Sequence, residues 1–476
     1  MQEAHHGGAK TPLEVLGTRA FSRVAQAQQS DGNRVELLCD AAENYPAWLA
    51  AIDAATGTVH LESYIFASDE VGEKFAAALM RASKRGVACR VLYDWLGCRT
   101  RTRKRFWMRL SQAGVDVRCY NPPSAANPLG WLSRNHRKLL SVDSRVAFVG
   151  GLCIAADWVG NARAAPWRDT AVEISGPAVG DLEAAFADSW LASGPALPNP
   201  AATVGATLAR GDLSAWVIAG QPNSMGLYKL EQLVAEIVER SLWLADGYFV
   251  ATSGYVRALC GAARAGVDVR LLVPGSSDLA VVRTLSQAGY RPLLEAGVRV
   301  FEWNGSMMHA KTAVADGCWT RIGSSNSNFA SWISNRELDL TIKDADFAAT
   351  MEAQFERDLA NATEIVLQLG RLRLPSIRRA VGGGRARGAR TSRLVAGVVG
   401  LGNIVGATVS QRRTPGPAEG IVMLAAAAFL VLIGGTAFLF PRSLAMLIGG
   451  LCAWLGVAIA LRAWRLRSPR SSGPKA

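Results

Sequence analysis

Histidine is scarce in this chain, with five among 476 residues, so two that share a context need an explanation. The eight cysteines, at positions 39, 89, 98, 119, 153, 260, 318 and 452, include no Cys-x-x-Cys pair. That scatter does not suggest a disulfide framework and fits a reduced, cytosolic compartment. The first residues, MQEAHHGGAKTPLEVLG, lack the apolar core of a signal peptide, and His5 and His6 read as part of a Gly- and Ala-rich start rather than as a metal site. No cluster of His, Cys and carboxylates falls at metal-ligand spacing, so chemistry without metal or cofactor is expected. Acid is nearly missing from the end of the chain, where residues 371–476 hold 16 Lys and Arg against the single acid Glu419. The other 370 residues carry 36 bases and 38 acids. Such a nearly neutral body is poor footing for binding nucleic acid, whereas a basic tail suits an anionic membrane surface.

Long uncharged runs are present in that tail. Residues 420–440 form 21 residues without charge and residues 443–461 another 19, separated by Pro441 and Arg442. Each is long enough to cross a bilayer as a helix. Paired glycines at 434–435 and 449–450 would let the two helices pack closely. Arg412 and Arg413 precede the pair, and Arg462, Arg465, Arg467 and Arg470 follow it. Both outer ends are therefore expected in the cytoplasm. Residues 394–410, rich in glycine and carrying Asn403, read as an interfacial or re-entrant segment rather than as a third, short span, which would undo the charge argument for the orientation. The eight arginines of 371–393 read as an electrostatic tether, each base near an anionic leaflet contributing roughly 1 kcal/mol.

The body repeats itself. Residues 75–94 and 255–275 both read as an amphipathic helix, a Gly turn and a strand. Each is preceded by an apolar strand bearing a tyrosine, Tyr64 or Tyr248. Further on, NHRKLLSVDSRVAFVGG (135–151) is matched 173 positions later by MHAKTAVADGCWTRIGS (308–324). His136, Lys138, Asp143 and Gly150 thus correspond to His309, Lys311, Asp316 and Gly323. Each stretch reads as a β-hairpin with His and Lys on one face. Asp143-Ser144 and Asp316-Gly317 fall where the chain turns back, so these acids are expected to fix the hairpin. The small residues after each hairpin would let backbone approach a ligand closely.

Two imidazoles and two ammonium groups brought together suit a phosphodiester. Lysines supply charge to the non-bridging oxygens, one imidazole attacks phosphorus, and the other protonates the leaving alcohol. Each ring needs an acceptor on its second nitrogen. Asp169 in PWRDTAVEI and Glu337 in SNRELDLTI offer one, lying 33 and 28 residues after the histidine of their own half. His60, the remaining body histidine, reads as packing.

The twinned motif resembles that of the phospholipase D superfamily. NHRK, FVGG and PWRD in one half, with MHAK, GSSN and N-x-E in the other, are similar to bacterial cardiolipin synthases over most of residues 41–370. The resemblance implies a bilobed α/β fold with the site at the interface of two similar halves, a phosphohistidine intermediate, and phosphatidyl transfer from a phospholipid to an alcohol. In a cardiolipin synthase that alcohol is the head group of phosphatidylglycerol. Carried over are His136, Lys138, Asp143, His309, Lys311 and Asp316 as the catalytic set, with Ser324 and Asn326 as phosphate contacts and His136 as nucleophile. Two departures stand out. Leu152-Cys153 replaces an expected x-Asn, removing one amide donor, and Asn328 and Ala330 stand where the family tends to carry Asp and Arg.

The expected organisation is an N-terminal segment (1–40), two phospholipase D-like halves (41–200 and 201–370), an Arg-rich linker with an interfacial segment (371–419), and a transmembrane helical hairpin with basic tail (420–476). The body would sit on the cytoplasmic side of a bacterial inner membrane, with phospholipid as substrate and no nucleic acid as partner. A hydrolase or nuclease of the same fold and a silent membrane scaffold are the competing readings. The intact His and Lys pairs speak against the scaffold, and the neutral body and membrane anchor against the nuclease. Transfer against hydrolysis depends on how dry the acceptor side is.

Overall fold

The computed structural model describes residues 10–123, 133–198 and 208–367, with Met446 and Trp454 as isolated positions. His5, His6 and the expected tether, interfacial segment and membrane hairpin lie outside the described residues, apart from those two positions. Among the described residues no helix is long and apolar enough to cross a membrane.

Seven strands build the first half: β1 (Gln29–Cys39), β2 (Thr58–Ser63), β3 (Ala88–Asp94), β4 (Asp116–Tyr120), β5 (Leu139–Val142), β6 (Val146–Gly150) and β7 (Thr170–Ser175). The second half holds β8 (Leu213–Gly220), β9 (Ser241–Asp246), β10 (Asp268–Pro274), β11 (Arg299–Trp303), β12 (Lys311–Ala315), β13 (Trp319–Gly323), β14 (Glu337–Lys343) and β15 (Ala362–Ile365). They join in one sheet ordered β15-β11-β10-β9-β12-β13-β14-β8-β1-β7-β6-β5-β2-β3-β4. Read outward from the β1–β8 seam, the halves run in the same order, β1-β7-β6-β5-β2-β3-β4 against β8-β14-β13-β12-β9-β10-β11. The internal repeat of the sequence is therefore a repeat of topology.

Local chemistry explains the repeating parts. In the helix Glu70–Lys84, Val71, Phe75, Ala78, Leu79 and Ala82 turn inward, the spacing of one buried face. Asp69 caps its start through the backbone N–H groups of Val71 and Gly72. Past its end Gly86 takes φ +91°, and Gly266 takes φ +96° after the matching helix Ser253–Arg264, a left-handed conformation that suits glycine. Both hairpin turns have two successive positive φ values, at Asp143 and Ser144 and at Asp316 and Gly317, which is the twist that two-residue hairpins need.

Each half has its own core, around Trp48, Phe75 and Phe148 in the first and Leu230, Tyr255 and Trp319 in the second. A third core is shared, with Val172, Ile174, Phe186 and Trp190 facing Val217, Ile322, Leu338 and Ile342. The structure also moves one expected boundary. β1 starts at Gln29, inside the segment set apart as 1–40, and pairs with both β7 and β8. Ahead of it, Leu13, Phe21 and Ala25 enter the second half's core. β1 escaped notice because QSDGNRVELLC is mostly half-buried and so carries little hydrophobic alternation.

Candidate active site

His136 and Lys138 lie in the extended segment that enters β5; His309 lies in the matching approach to β12, of which Lys311 is the first residue. Two isolated parallel bridges, Asn135 to Arg336 and Met308 to Arg168, bring these segments against the other half. The His136 N–H donates to the Arg336 carbonyl (2.9 Å), and the His309 N–H donates to the Arg168 carbonyl (2.7 Å). Each of those arginines immediately precedes a carboxylate.

The acceptors are consequently exchanged. His136 Nδ1 donates to Glu337 of the second half at 2.9 Å, and His309 Nδ1 donates to Asp169 of the first half at 2.7 Å. The two acids offered as acceptors do contact the imidazoles, each against the histidine of the opposite half rather than that of its own. The crossing is a product of docking, which spacing along one chain does not record. Further donors fix both acids: Ser324 Oγ on Glu337 at 2.6 Å, and Trp158 Nε1 on Asp169 at 2.8 Å. With Nδ1 committed, Nε2 of each ring is the nitrogen left for chemistry, and the acceptor fixes that tautomer.

Each lysine folds back on its own motif. Lys138 Nζ donates to the His136 carbonyl at 2.5 Å, and Lys311 Nζ donates to the His309 carbonyl. One such bond per ammonium leaves two donors for a ligand. Tyr64 meets the His136 ring edge-on at 4.9 Å and lies 5.5 Å from Lys138 Nζ. Tyr248 does the same for His309 at 5.8 Å and Lys311 at 5.7 Å.

Burial sets the charge states. It lowers the His309 pKa to about 3, and Lys311 pushes the same way against the opposing pull of Asp169. The His136 pKa is also lowered by burial, with Glu337 opposing. Both rings are therefore neutral at rest. Burial would raise Glu337 and Asp169, but the imidazole and lysine beside each, with the Ser324 hydroxyl on Glu337 and the Trp158 indole on Asp169, together lower them, so both stay ionised. Burial also brings Lys311 down to about 8 and lowers Lys138, so a phosphate beside them would favour their charged forms.

Other expected residues are placed differently. Asp143 accepts from the backbone N–H groups of Thr56, Gly57 and Thr58 at 2.8, 2.7 and 2.7 Å. Asp316 accepts from Arg240 and Ser241 at 2.7 and 3.1 Å. Both sit at the far end of their strand from the lysine, so they belong with the hairpin framework and not with the imidazoles. Ser324 is not free for phosphate, because its hydroxyl donates to Glu337 and accepts from the Leu338 N–H. Asn326 is buried, and only its amide N–H groups could hold a phosphate oxygen; its unpartnered amide oxygen is an acceptor and could not. Cys153, its counterpart, is a buried thiol whose pKa burial raises despite Lys138 and Lys311. Gly151 makes room for an acid rather than a ligand, since a Cβ there would fall 2.0 Å from Asp169 Oδ1. His60 is packing as expected: it stacks on Phe186 at 4.7 Å, and burial with the Arg90 charge lowers its pKa to about 4.

Some contributors were missed. Arg137, between His136 and Lys138, is fully buried and bridges the halves, donating to the carbonyls of Glu337, Ala185 and Gly220 at 3.0, 2.6 and 2.9 Å. Trp158 and Trp167 enclose His309 at 5.3 and 5.6 Å. Asn328, one of the departures from the family pattern, donates to the Tyr248 carbonyl at 3.0 Å. A tryptophan close before Asp169 was the available signal for the enclosure, while Arg137 gave none.

Comparison with known proteins agrees with this arrangement. The family model described as "Cardiolipin synthase, PLD-like domain" matches residues 48–163 and 234–359, which include both motifs. Cardiolipin synthase 1 of Bacillus cereus is 30% identical over 360 residues, covering 73% of this chain and 70% of that protein. Cardiolipin synthase of a Geobacillus species is 32% identical over 365 residues, covering 75% and 72%. The crystal structure of phosphatidylserine synthase from Haemophilus influenzae shares the fold, with a TM-score of 0.57, 14% identity, and coverage of 73% of this chain and 91% of that one. The chain belongs to the cardiolipin synthase, PLD-like domain family, and it is a phosphatidyltransferase of the phospholipase D type.

Proposed function

We propose that this phosphatidyltransferase makes cardiolipin from two molecules of phosphatidylglycerol. The observation that supports it most is the crossed pair of His–carboxylate contacts beside two lysines, a constellation fitted to two successive in-line displacements at one phosphorus. His136 Nε2 attacks the phosphorus of the first phosphatidylglycerol, forming an N–P bond as the bond to the glycerol oxygen breaks. The other imidazole, His309, takes up a proton on Nε2 when the anionic phosphodiester binds beside it, gives that proton to the departing oxygen, and glycerol leaves. His309 then takes the proton from a head-group hydroxyl of the second phosphatidylglycerol. That oxygen attacks phosphorus, and the N–P bond breaks to regenerate His136. Lys138, Lys311 and the amide of Asn326 hold the non-bridging oxygens. Glu337 and Asp169 stabilise the imidazolium that forms on each ring in turn.

A second assignment of the histidines has an observation behind it. His309 is the more enclosed ring, its side chain 5% exposed against 12% for His136. A nucleophile must be neutral, and enclosure by two tryptophans favours that, whereas the acid must hold a proton, which His136 would keep more readily.

The membrane hairpin at 420–461 belongs to the same proposal. It would keep the body at the cytoplasmic face of the inner membrane with the basic stretch 371–393 against anionic lipid. Purified full-length protein incubated with defined phospholipids, with products identified by mass spectrometry, tests the activity. Cardiolipin and free glycerol from phosphatidylglycerol are expected. Phosphatidic acid as the sole product would replace the transferase by a hydrolase.

A further inference from the structure

The body is nearly neutral, yet its bases are not evenly spread. Between Trp95 and Val115 the chain has Arg99, Arg101, Arg103, Lys104, Arg105 and Arg109, and no acid. All six are exposed. Arg101 pairs with Asp157 and Arg109 with Glu73. Among the described residues no ion pair engages Arg99, Arg103, Lys104 or Arg105.

This segment starts at the active site. Asp94, at the end of β3, accepts from the Asn135 N–H beside His136 at 2.9 Å. The same carboxylate caps the turn Trp95–Cys98 through Leu96 and Gly97. Gly97 in turn packs on the Tyr64 carbonyl, where a Cβ would come within 2.0 Å, and Tyr64 touches the His136 ring. On the other side Arg101 holds Asp157 at 2.6 Å, next to Trp158, which lies against His309. The segment therefore borders both imidazoles.

Its outward face is mixed in a specific way. In the helix Lys104–Gln112, Phe106 and Leu110 are buried, while Lys104, Arg105, Met108 and Arg109 face out. Met108 is 51% exposed, and so at 48% is Val159, directly after Trp158. Val281, also exposed, lies three residues past Asp278, whose carboxylate takes the Tyr248 hydroxyl at 2.7 Å. Bases with large exposed apolar side chains around a site that takes a phospholipid are what an interfacial surface requires. The composition fits nucleic acid less well. Trp107 is stacked on Tyr93 at 3.9 Å and Trp95 lies under Arg99 at 5.0 Å, so neither presents an open ring of the kind on which bases stack.

We infer that the segment from Arg99 to Arg109, with Val159 and Val281 beside it, seats the mouth of the active site on an anionic bilayer. This rests on the reading that the substrate is a membrane phospholipid. The anchor in the tail keeps the body near the membrane, and this surface turns the site toward it.

The test compares the full chain with a variant carrying Arg99→Gln, Arg103→Gln, Lys104→Gln and Arg105→Gln. Phosphatidylglycerol dilute in neutral detergent micelles should be turned over equally by both. On proteoliposomes rich in anionic lipid the variant should be slower by about ten-fold or more, and its rate should lose the salt sensitivity of the parent. A control with Arg19→Gln, Arg23→Gln, Arg34→Gln and Arg264→Gln removes the same charge elsewhere and should keep the parental vesicle rate. Hydrogen exchange of residues 99–109 should slow in anionic vesicles and not in neutral ones. Equal vesicle rates for variant and parent overturn the inference, and so does an equal loss in the control. Stronger protection of 99–109 by an oligonucleotide than by anionic vesicles also overturns it, in favour of a nucleic-acid surface. If the parent makes no transfer product in either medium, the proposed function fails, and hydrogen exchange still decides the docking surface.

Discussion

The two halves place equivalent groups around equivalent histidines, and the comparison is informative where they part. Among the described residues His136 has one aromatic neighbour, Tyr64, whereas His309 is walled by Tyr248, Trp158 and Trp167. The acid of His309 is braced by an indole N–H and that of His136 by a serine hydroxyl. One half carries a thiol, Cys153, where the other carries the amide of Asn326. A duplicated fold supplied two similar imidazoles, and unequal surroundings can give them unequal work. The exchange of acids means that neither half is complete alone. Each histidine takes its backbone register and its carboxylate from the opposite half.

The largest effects should come from the histidines, and trapping with phospholipid carrying radioactive phosphorus separates their roles. His136→Ala should abolish both turnover and labelling of the protein. His309→Ala should slow turnover by on the order of 10² to 10⁴, the loss typical of a general acid, while labelling continues slowly. Labelling that persists in His136→Ala and vanishes in His309→Ala would hand the nucleophile to the more enclosed ring. If the parent never labels under alkaline trapping, direct attack by the alcohol replaces the covalent route.

The crossing predicts a pattern that uncrossed halves would reverse. Glu337→Gln should copy His136→Ala in kind, suppressing labelling, because it removes the carboxylate charge and offers an amide donor that favours the wrong His136 tautomer. Asp169→Asn should instead copy His309→Ala. Losses on the order of 10² to 10⁴ are expected for each, by the precedent of a carboxylate that holds a catalytic imidazole. If Asp169→Asn is the variant that blocks labelling while His136 remains the labelled residue, the observed contacts are not those used in turnover.

Most of the site could be read from the sequence because it is local. His136, Lys138 and Asp143 fall within eight residues, their twins repeat the spacing, and the turn residues announce both hairpins. Asp169 and Glu337 were found because the repeat surrounds them with similar strands. Their exchange was hidden, since it follows from the bridges at Asn135–Arg336 and Arg168–Met308, which join residues 201 and 140 positions apart. Arg137 was hidden for a related reason. A buried arginine makes sense only once Glu337, Ala185 and Gly220 surround it. Ser324 was misread because a small hydroxyl beside a glycine serves a phosphate and a carboxylate equally well.

The lysines sharpen the comparison through pH. Burial lowers Lys311 to about 8, so its ammonium is charged below that pH and neutral above it. An ammonium that meets the phosphate must be charged, and kcat/KM should therefore fall as pH rises through about 8, by up to roughly ten-fold per unit. Lys311→Arg, which keeps its charge at higher pH, should remove that limb even if its overall rate is lower. A kcat/KM profile flat to 10 in the parent would mean that the free enzyme keeps Lys311 charged far above 8, or that Lys138 alone carries the phosphate.

The smallest effect on chemistry is expected at the third residue of each motif, and there the two halves should agree. Asp143 and Asp316 gather backbone N–H groups from the loop ahead of β2 and of β9, tying that loop to the hairpin that carries His and Lys. Asp143→Asn and Asp316→Asn should each lower stability by about 1–3 kcal/mol, since hydrogen bonds to a carboxylate are lost and backbone donors are left poorly paired. Rates per folded molecule should change by less than about ten-fold, because a loosened hairpin misplaces its imidazole only slightly. The acid limb offers an independent check on Asp143. Its pKa is lowered because N–H bonds from Thr56, Thr58 and Gly57 outweigh the effect of burial. A group depressed in this way contributes stability that is present above its unfolded value, near 3.9, and is lost as pH falls through the folded value. Urea titrations should show the parent losing its advantage over Asp143→Asn only below about pH 4. A variant as stable as the parent at pH 7 but slower by a thousand-fold would return Asp143 to the catalytic set from which its position removes it.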